Sequence, residues 1–353
     1  MLLSGGGYLL GTATLSHYGE KITHTGGLGD AGATGKSIDG PINVLLVGTD
    51  ERDDDPSGGA RADSIIVAHV PASHDAVYLA SIPRDTLVDI PAFSDTNYPG
   101  GQDKINAAFQ FGYRNDGGRA KGLELLADTV SQVSGGMKFN GAAIVNFDGL
   151  RSMIKAIGGV TLCVDEKVTS IHIGWNTVTG KEGVPYVLNS DGTVAYKKAN
   201  YRAQVYYPGC QHLNEWQALD YARQRDLLAN DDADYGRQRH QQQLIKAILA
   251  KTTSTGVITN PLKVNTVLNS LGDALSFYNN GVSLTDWIFT LKGIQPAQMT
   301  MLKTNNGTFN PETINGIWYE KLSDTSRQLL TSMTNDDVAS FLAANPSWVS
   351  PAT

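Results

Sequence analysis

The chain has 353 residues, 41 % of them hydrophobic and 18 % charged, which supplies a sizeable core and excludes a disordered chain, a coiled coil and a polytopic membrane protein. Twenty-eight Lys+Arg against thirty-five Asp+Glu leave a formal net charge of −7, which disfavours nucleic acid or an anionic membrane as a partner of the whole surface but leaves room for a local basic site. At ~150 residues per domain the length suits two domains or one elaborated α/β domain.

In chain order, residues 1–15 (MLLSGGGYLLGTATL) are apolar but shorter than the ~20 residues that cross a bilayer, and read as the remnant of an N-terminal membrane anchor. Residues 16–40 read as a Gly-rich flexible tether. Its Gly35-Lys36-Ser37 is not a phosphate loop, because Asp30 stands where a glycine is needed and no buried strand precedes it. Folded structure is expected from Pro41. INVLLVG, SIIVAHV (64–70) and AVYLASI (76–82) read as strands, the last two as a hairpin closed by PASHD.

A loop follows over 91–103. Leu123, Leu126, Val130 and Val133 then mark an amphipathic helix that stops at Gly135-Gly136. AAIVNF is a strand, and Asp148 is placed to cap a short helix carrying Leu150, Ile154 and Ile157, after which VTLCV is a strand. Residues 166–209 lack helical periodicity and read as an excursion with a hairpin at Ser190-Asp191-Gly192. Asn214 caps the helix EWQALDYAR, and QQQLIKAILAK forms another. Helices around 260–277 and 283–292, a strand MTMLK and a last helix before Asn345-Pro346 complete the chain.

Cys163 and Cys210 fit one disulfide or two buried thiols equally. A zinc site would have to recruit His172 and His212 without any CxxC pair, and ranks below a disulfide.

Charge gathers at strand ends. Asp50 and Arg52 follow the first strand, Asp63 precedes the second, Arg84 and Asp85 follow the third, and Lys104 and Asn106 open an Ala-rich helix. Ends of strands are where open α/β sheets bind ligands. Two aspartates on neighbouring strands offer hard oxygen donors suited to Mg²⁺, although Asp at strand ends is also ordinary turn chemistry. Arg223, Arg225, Arg237 and Arg239 then crowd one segment, with Gln241 four residues after Arg237 on one helix face. Several guanidinium forks suit a pyrophosphate. A salt-bridge network with Asp226, Asp231, Asp232 and Asp234 is the competing explanation.

Together NVLLVGTDER, RADSIIVAHV, LASIPRD, DKINAAF, IVNFDGL, IGGVTLCV, CQHLNEWQALDYARQR and DYGRQRHQQQLIKAIL resemble the LytR-CpsA-Psr family of cell-wall assembly proteins, in the family's order over residues 42–250, with RQRHQQQ closest to actinobacterial members. The resemblance implies an α/β fold with a central mixed sheet flanked by helices and a long apolar slot between them. It implies one extracytoplasmic catalytic domain over 41–353, with a helical extension from 251, held at the cell membrane by a single-pass anchor. The activity implied is Mg²⁺-dependent (or Mn²⁺-dependent) transfer of a glycopolymer from a polyprenyl-pyrophosphate carrier to peptidoglycan. Nucleic acid is not a partner.

Carried over residue by residue, Asp50 and Asp63 are the metal ligands, and Arg84, Arg223, Arg225 and Arg237 hold the pyrophosphate with Gln241, Lys104 and Arg52 beside them. Asp63, Arg84, Arg223 and Arg225 are the catalytic set. His240 stands where many members carry a second arginine, with Arg239 next to it as a substitute. The helices over 119–133 and 241–252 and the NFDGL helix are the expected walls of the slot. An extracytoplasmic location implies a Cys163–Cys210 bridge. Alternative readings are a polyprenyl-pyrophosphate hydrolase and a non-catalytic wall-binding or regulatory protein.

Overall fold

The computed structural model describes residues 23–24, 26–35, 37–51, 60–189, 192–257 and 260–350. The chain opens with β1 (Thr23–His24), β2 (Ile42–Thr49), β3 (Ala62–Val70), β4 (Val77–Ile82), β5 (Leu87–Ile90) and β6 (Gly101–Lys104), followed by α1 (Ile105–Tyr113) and α2 (Gly118–Val133). Next come β7 (Gly141–Asn146), α3 (Phe147–Ala156), β8 (Val160–Val164) and β9 (Val168–Asn176). The excursion adds β10 (Glu182–Gly183), β11 (Tyr186–Leu188), β12 (Val194–Lys197), β13 (Tyr201–Tyr206) and β14 (Gly209–Leu213). After α4 (Glu215–Arg223), α5 (Ala233–Ser254) and α6 (Pro261–Leu271) the chain continues through β15 (Leu275–Tyr278), α7 (Leu284–Leu291) and β16 (Met299–Lys303). It ends with β17 (Pro311–Ile314), β18 (Ile317–Glu320), α8 (Asp324–Thr334) and α9 (Val338–Ala344).

Seven strands form a mixed central sheet in the order β1-β15-β7-β2-β3-β4-β16. β2 runs antiparallel to β3 and parallel to β7, β3 antiparallel to β4, and β4 parallel to β16. The ends of β7, β2, β4 and β16 and the start of β3 therefore lie along one edge of the sheet. One sheet face packs α1, α2, α8 and α9 through Leu45, Ile65, Phe109, Leu126, Leu330 and Phe341. The opposite face packs Ile42, Ile66 and Leu79 against Trp287 and the apolar stripe of α5, and a third cluster joins α3, α4 and α5 to β8 and β14. Each fully buried Leu, Ile or Phe contributes roughly 1.5–3 kcal/mol of transfer free energy.

Several local expectations change. The helix after β7 is capped by Asn146, whose side chain accepts the Gly149 N–H, so Asp148 lies inside its first turn. Residues 275–278 are strand β15, paired with β7 in the main sheet, where a helix to 277 is expected. A short apolar run does not distinguish buried helix from strand by periodicity. The C-terminal third is thus not a helical extension, since β15 and β16 belong to the central sheet. Part of the expected tether is also structure: β1 pairs with β15, and Leu28 is buried in the main core. Residues 1–15 and Ser190-Asp191 lie outside the described residues.

The excursion is stapled at its base. Cys163 and Cys210 face each other on the antiparallel pair β8–β14 and form a disulfide, 47 residues apart in sequence. This removes both sulfurs from any zinc site with His172 and His212.

Candidate functional site

The site is built where β2 and β3 fall out of register. Gly48 pairs with Ser64 but Thr49 pairs with Ala62, so Asp63 is the extra residue of a β-bulge, a device that re-aims one side chain. Its carboxylate accepts Arg84 Nη1 at 2.5 Å, and its main-chain carbonyl accepts Arg237 Nη2 at 3.3 Å. Arg84 comes from the turn after β4, and Arg237 from the second turn of α5, whose N-terminal part crosses this sheet edge. Gly236 lets the loop that leads into α5 fold back on the helix, because a Cβ there would stand 2.2 Å from Asp232 Oδ1 and 2.3 Å from Leu228.

Carboxylates hold the cations in place. Arg237 pairs with Asp234 at 2.6 Å on its own helix, Arg84 Nε lies 3.7 Å from Asp85, and Lys104 Nζ reaches Asp85 at 2.8 Å. Burial and the like charges of Arg84 and Arg225 lower the pKa of Arg237, while Asp234 and Asp63 oppose that shift. Burial works against the charge on Asp234, yet Arg237 and Arg84 hold its carboxyl below the ordinary carboxylate range. Asp234 is therefore an orienting anion rather than a base. The Nε–H groups of Arg84 and Arg237 are buried without a hydrogen-bond partner in the protein. The two guanidinium groups meet at Asp63, and paired guanidinium charges suit a phosphate.

Beside this cluster a cavity of about 280 Å³ opens between β7, β2 and β3 on one side and α3, α4 and α5 on the other. Leu46, Ile66, Val145, Leu150, Leu244 and Ile248 make its walls apolar, while Ser64, Gln241 and Arg223 line it with polar groups. Ser64 Oγ donates to Gln241 Oε1 at 2.8 Å, directly after Asp63 and one turn along from Arg237. The Arg223 guanidinium lies 4.4 Å from the centre of the Phe147 ring. The slot is thus walled by α3, α4 and α5; the expected wall from the helix over 119–133 is wrong, because α2 packs in the core on the other sheet face.

Arg223 and Arg225 act together on a residue that the sequence offered only as a low-ranked zinc ligand. His172, on β9, has its pKa pushed down to about 4, by burial first and then by the charges of Arg223 and Arg225. Arg225 Nε lies 3.7 Å from Asp226.

Asp50 Oδ1 accepts the Arg61 N–H at 2.8 Å across the same strand end. As a donor set, Asp50 and Asp63 offer hard carboxylate oxygens on adjacent strands, which fits Mg²⁺ chemistry, with Arg84 as the present partner of Asp63. Arg52 lies outside the described residues.

Arg239 does not replace the second arginine of the motif at the phosphate cluster. Two residues from Arg237, Arg239 projects from another face of α5 and pairs with Asp165 at 2.6 Å, and with Glu166 and Asp232. His240 is fully buried, 4.3 Å from the Tyr221 ring and 3.3 Å from Glu166. Neither joins Asp63. Among the described residues, Asp165, Glu166 and His240 form one cluster of possible metal donors, but Arg239 already supplies its cation.

The LytR_cpsA_psr family model matches residues 14–335. The chain is 30 % identical over 283 residues to the polyisoprenyl-teichoic acid–peptidoglycan teichoic acid transferase TagU of Oceanobacillus iheyensis, covering 80 % of this chain and 72 % of that protein. To the probable cell wall biosynthesis protein LcpB of Corynebacterium glutamicum it is 31 % identical over 233 residues, 63 % of this chain and 44 % of that one. Among solved structures, B. subtilis TagV superposes with a TM-score of 0.56 at 21 % identity, covering 86 % of this chain and 99 % of that one. TagT bound to LI-WTA superposes with a TM-score of 0.57 at 19 % identity, covering 90 % and 99 %. These two share the mixed α/β fold. With its motifs in order and most of its length matched, the chain belongs to the LytR-CpsA-Psr family.

Proposed function

We propose that this chain is a phosphotransferase that moves a cell-wall glycopolymer from a polyprenyl-pyrophosphate carrier to a peptidoglycan hydroxyl, leaving a phosphodiester link. The observation that carries the reading is the junction of an apolar slot with a cluster of buried guanidinium groups: Ser64 and Gln241 line the slot, and Asp63, Arg84 and Arg237 stand beside them. A polyprenyl diphosphate has the same two parts in the same order. The transferase name of the Oceanobacillus relative supports the reaction class.

The chain's own groups perform most of the work expected of such a site. Arg84 and Arg237 bring two guanidinium charges to the diphosphate at Asp63, and Arg223 and Arg225 add charge beside the slot. Asp63, Asp85 and Asp234 hold the arginines and Lys104 in fixed directions, so little reorganisation is needed when charge develops on the departing polyprenyl phosphate. Asp50 and Asp63 would hold a Mg²⁺ ion, with Mn²⁺ as the alternative. Such a cation neutralises diphosphate charge when bound.

The domain is proposed to lie outside the cell membrane, tethered by an anchor that begins before residue 16. The Cys163–Cys210 bridge supports an oxidising compartment. No helix among the described residues is long and apolar enough to cross a membrane. The test is incubation with a polyprenyl-pyrophosphate-linked polymer and uncross-linked peptidoglycan. Polymer attached through a phosphodiester supports transfer; release of free phosphorylated polymer alone makes the protein a hydrolase.

A further inference from the structure

Beyond the arginine cluster, away from the slot, the hairpin β17–β18 presents exposed aromatic surface. Phe309 is 38 % exposed, Ile317 51 % and Trp318 39 %. The rings of Phe309 and Trp318 meet edge to face at 6.1 Å, and Lys104 Nζ lies 5.9 Å from the Trp318 ring. The hairpin is fixed to the site. Glu320 N–H donates to the Asp85 carbonyl at 2.9 Å, and the buried Glu320 carboxylate accepts the Tyr235 hydroxyl at 2.7 Å, two residues from Arg237. On the other face of the hairpin, where Glu312 pairs with Tyr319, a separate polar cleft of about 340 Å³ is lined by Asp89, Gln102, Gln132, Glu312, Lys321 and Arg327.

The order across the sheet edge is therefore slot at β7, β2 and β3, aspartates at β2 and β3, Arg84 and Asp85 after β4, and then the aromatic hairpin that follows β16. An in-line displacement at phosphorus brings the nucleophile in from the side opposite the leaving group. With the leaving polyprenyl phosphate on the slot side, the entering hydroxyl belongs on the hairpin side. An exposed aromatic pair with an ammonium group beside it is chemistry that receives a sugar chain, because a pyranose offers an apolar C–H face and a rim of hydroxyl and N-acetyl groups.

We propose that Trp318 and Phe309, with Lys104 beside them, form the subsite that docks the acceptor, a glycan chain of N-acetylated pyranose units. The assignment rests on the transferase reading for the acceptor's role, but its binding test does not. Trp318 is a binding residue, and Tyr235 and Glu320 are positioning residues for the hairpin.

The probe is a soluble uncross-linked strand of alternating N-acetylglucosamine and N-acetylmuramic acid, titrated into the full chain and into Trp318→Ala and Trp318→Phe variants of matched melting temperature. Saturation-transfer NMR and calorimetry are expected to find at least a tenfold loss of affinity in Trp318→Ala, and a loss of less than threefold in Trp318→Phe. In the transfer assay the acceptor KM rises in Trp318→Ala while the donor KM stays within twofold. Equal strand affinity in wild type and Trp318→Ala, or no strand binding by wild type, overturns the subsite, and so does an effect confined to the donor KM. Trp318-dependent strand binding without any transfer leaves the subsite standing and removes the phosphotransferase reading.

Discussion

Arg84 and Asp63 are joined at 2.5 Å from the ends of two adjacent strands, and Asp63 reaches that position as the extra residue of a β-bulge. The same residue offers its carbonyl to Arg237 of α5. One bulge thus gathers a β4 arginine and an α5 arginine at a single point of the sheet edge, beside the slot. Replacing Arg84 by Ala is expected to lower kcat/KM for glycopolymer transfer by about 10²–10³, the usual cost of removing one donor aimed at developing charge. Arg84→Lys recovers little of it, because an ammonium lacks the planar fork. Steady-state kinetics on both variants, with melting curves to confirm folding, check this.

The slot makes a separate prediction. Ile248 lines it and is only partly buried, so Ile248→Trp fills space with little effect on the core. Donor KM is expected to rise tenfold or more with a long-chain carrier and to change less than twofold with a short water-soluble one. Equal effects on both carriers would mean that the tail lies elsewhere.

His172 reports on the arginine pair. Its pKa, held near about 4 by burial and by Arg223 and Arg225, lies below the unfolded value of 6.5. The neutral ring therefore favours the folded state above pH 6.5, and that contribution is lost as pH falls from 6.5 towards 4. Anion binding to the arginines cancels part of the second cause. Addition of inorganic pyrophosphate is expected to raise the NMR-detected His172 pKa, and an unchanged value means that the anion does not neutralise Arg223 and Arg225.

Asp220 provides the opposite sign. Burial raises its pKa to about 6, even though Tyr206, Ser170 and Gln224 donate hydrogen bonds to it. A raised carboxyl pKa contributes stability below the unfolded value near 3.8 that is lost as pH rises through about 6. The melting temperature of Asp220→Asn relative to wild type is therefore expected to climb between pH 4 and pH 7. A difference that stays flat across this window refutes the assignment.

The bridge between Cys163 and Cys210 closes the base of the excursion that carries His172. Replacing both cysteines by serine is expected to cost ~3–4 kcal/mol through the lost loop constraint, read from denaturant midpoints. His172 reporting on Arg223 and Arg225 should weaken in parallel.

Much of the site was legible because its residues sit at strand ends with short-range signals. Asp63, Arg84 and Asp85 flank apolar runs, and Gln241 four residues after Arg237 shares its helix face. Arg239 was misread as a substitute phosphate contact because α5 is one helix from Ala233 to Ser254, so Arg239, ~200° around from Arg237, faces Asp165 and Glu166. His172 was legible only as a zinc ligand that the disulfide rules out, and Trp318 was invisible as a site residue. Their closeness to Arg223 and Lys104 is made by long-range pairing, of β9 within the excursion and of the β17–β18 hairpin against Asp85. Likewise Leu275–Tyr278 becomes a strand only because β7 is there to pair with it.

A structure of the protein with a bound polyprenyl diphosphate decides where the carrier lies. The tail is expected between the sheet and α3, α4 and α5, with the diphosphate on Arg84, Arg223 and Arg237 and any bound Mg²⁺ beside Asp50 and Asp63. A diphosphate bound instead to Arg239 and Lys303 in the cleft on the other side of α5, or a tail lying outside the slot, would contradict this placement.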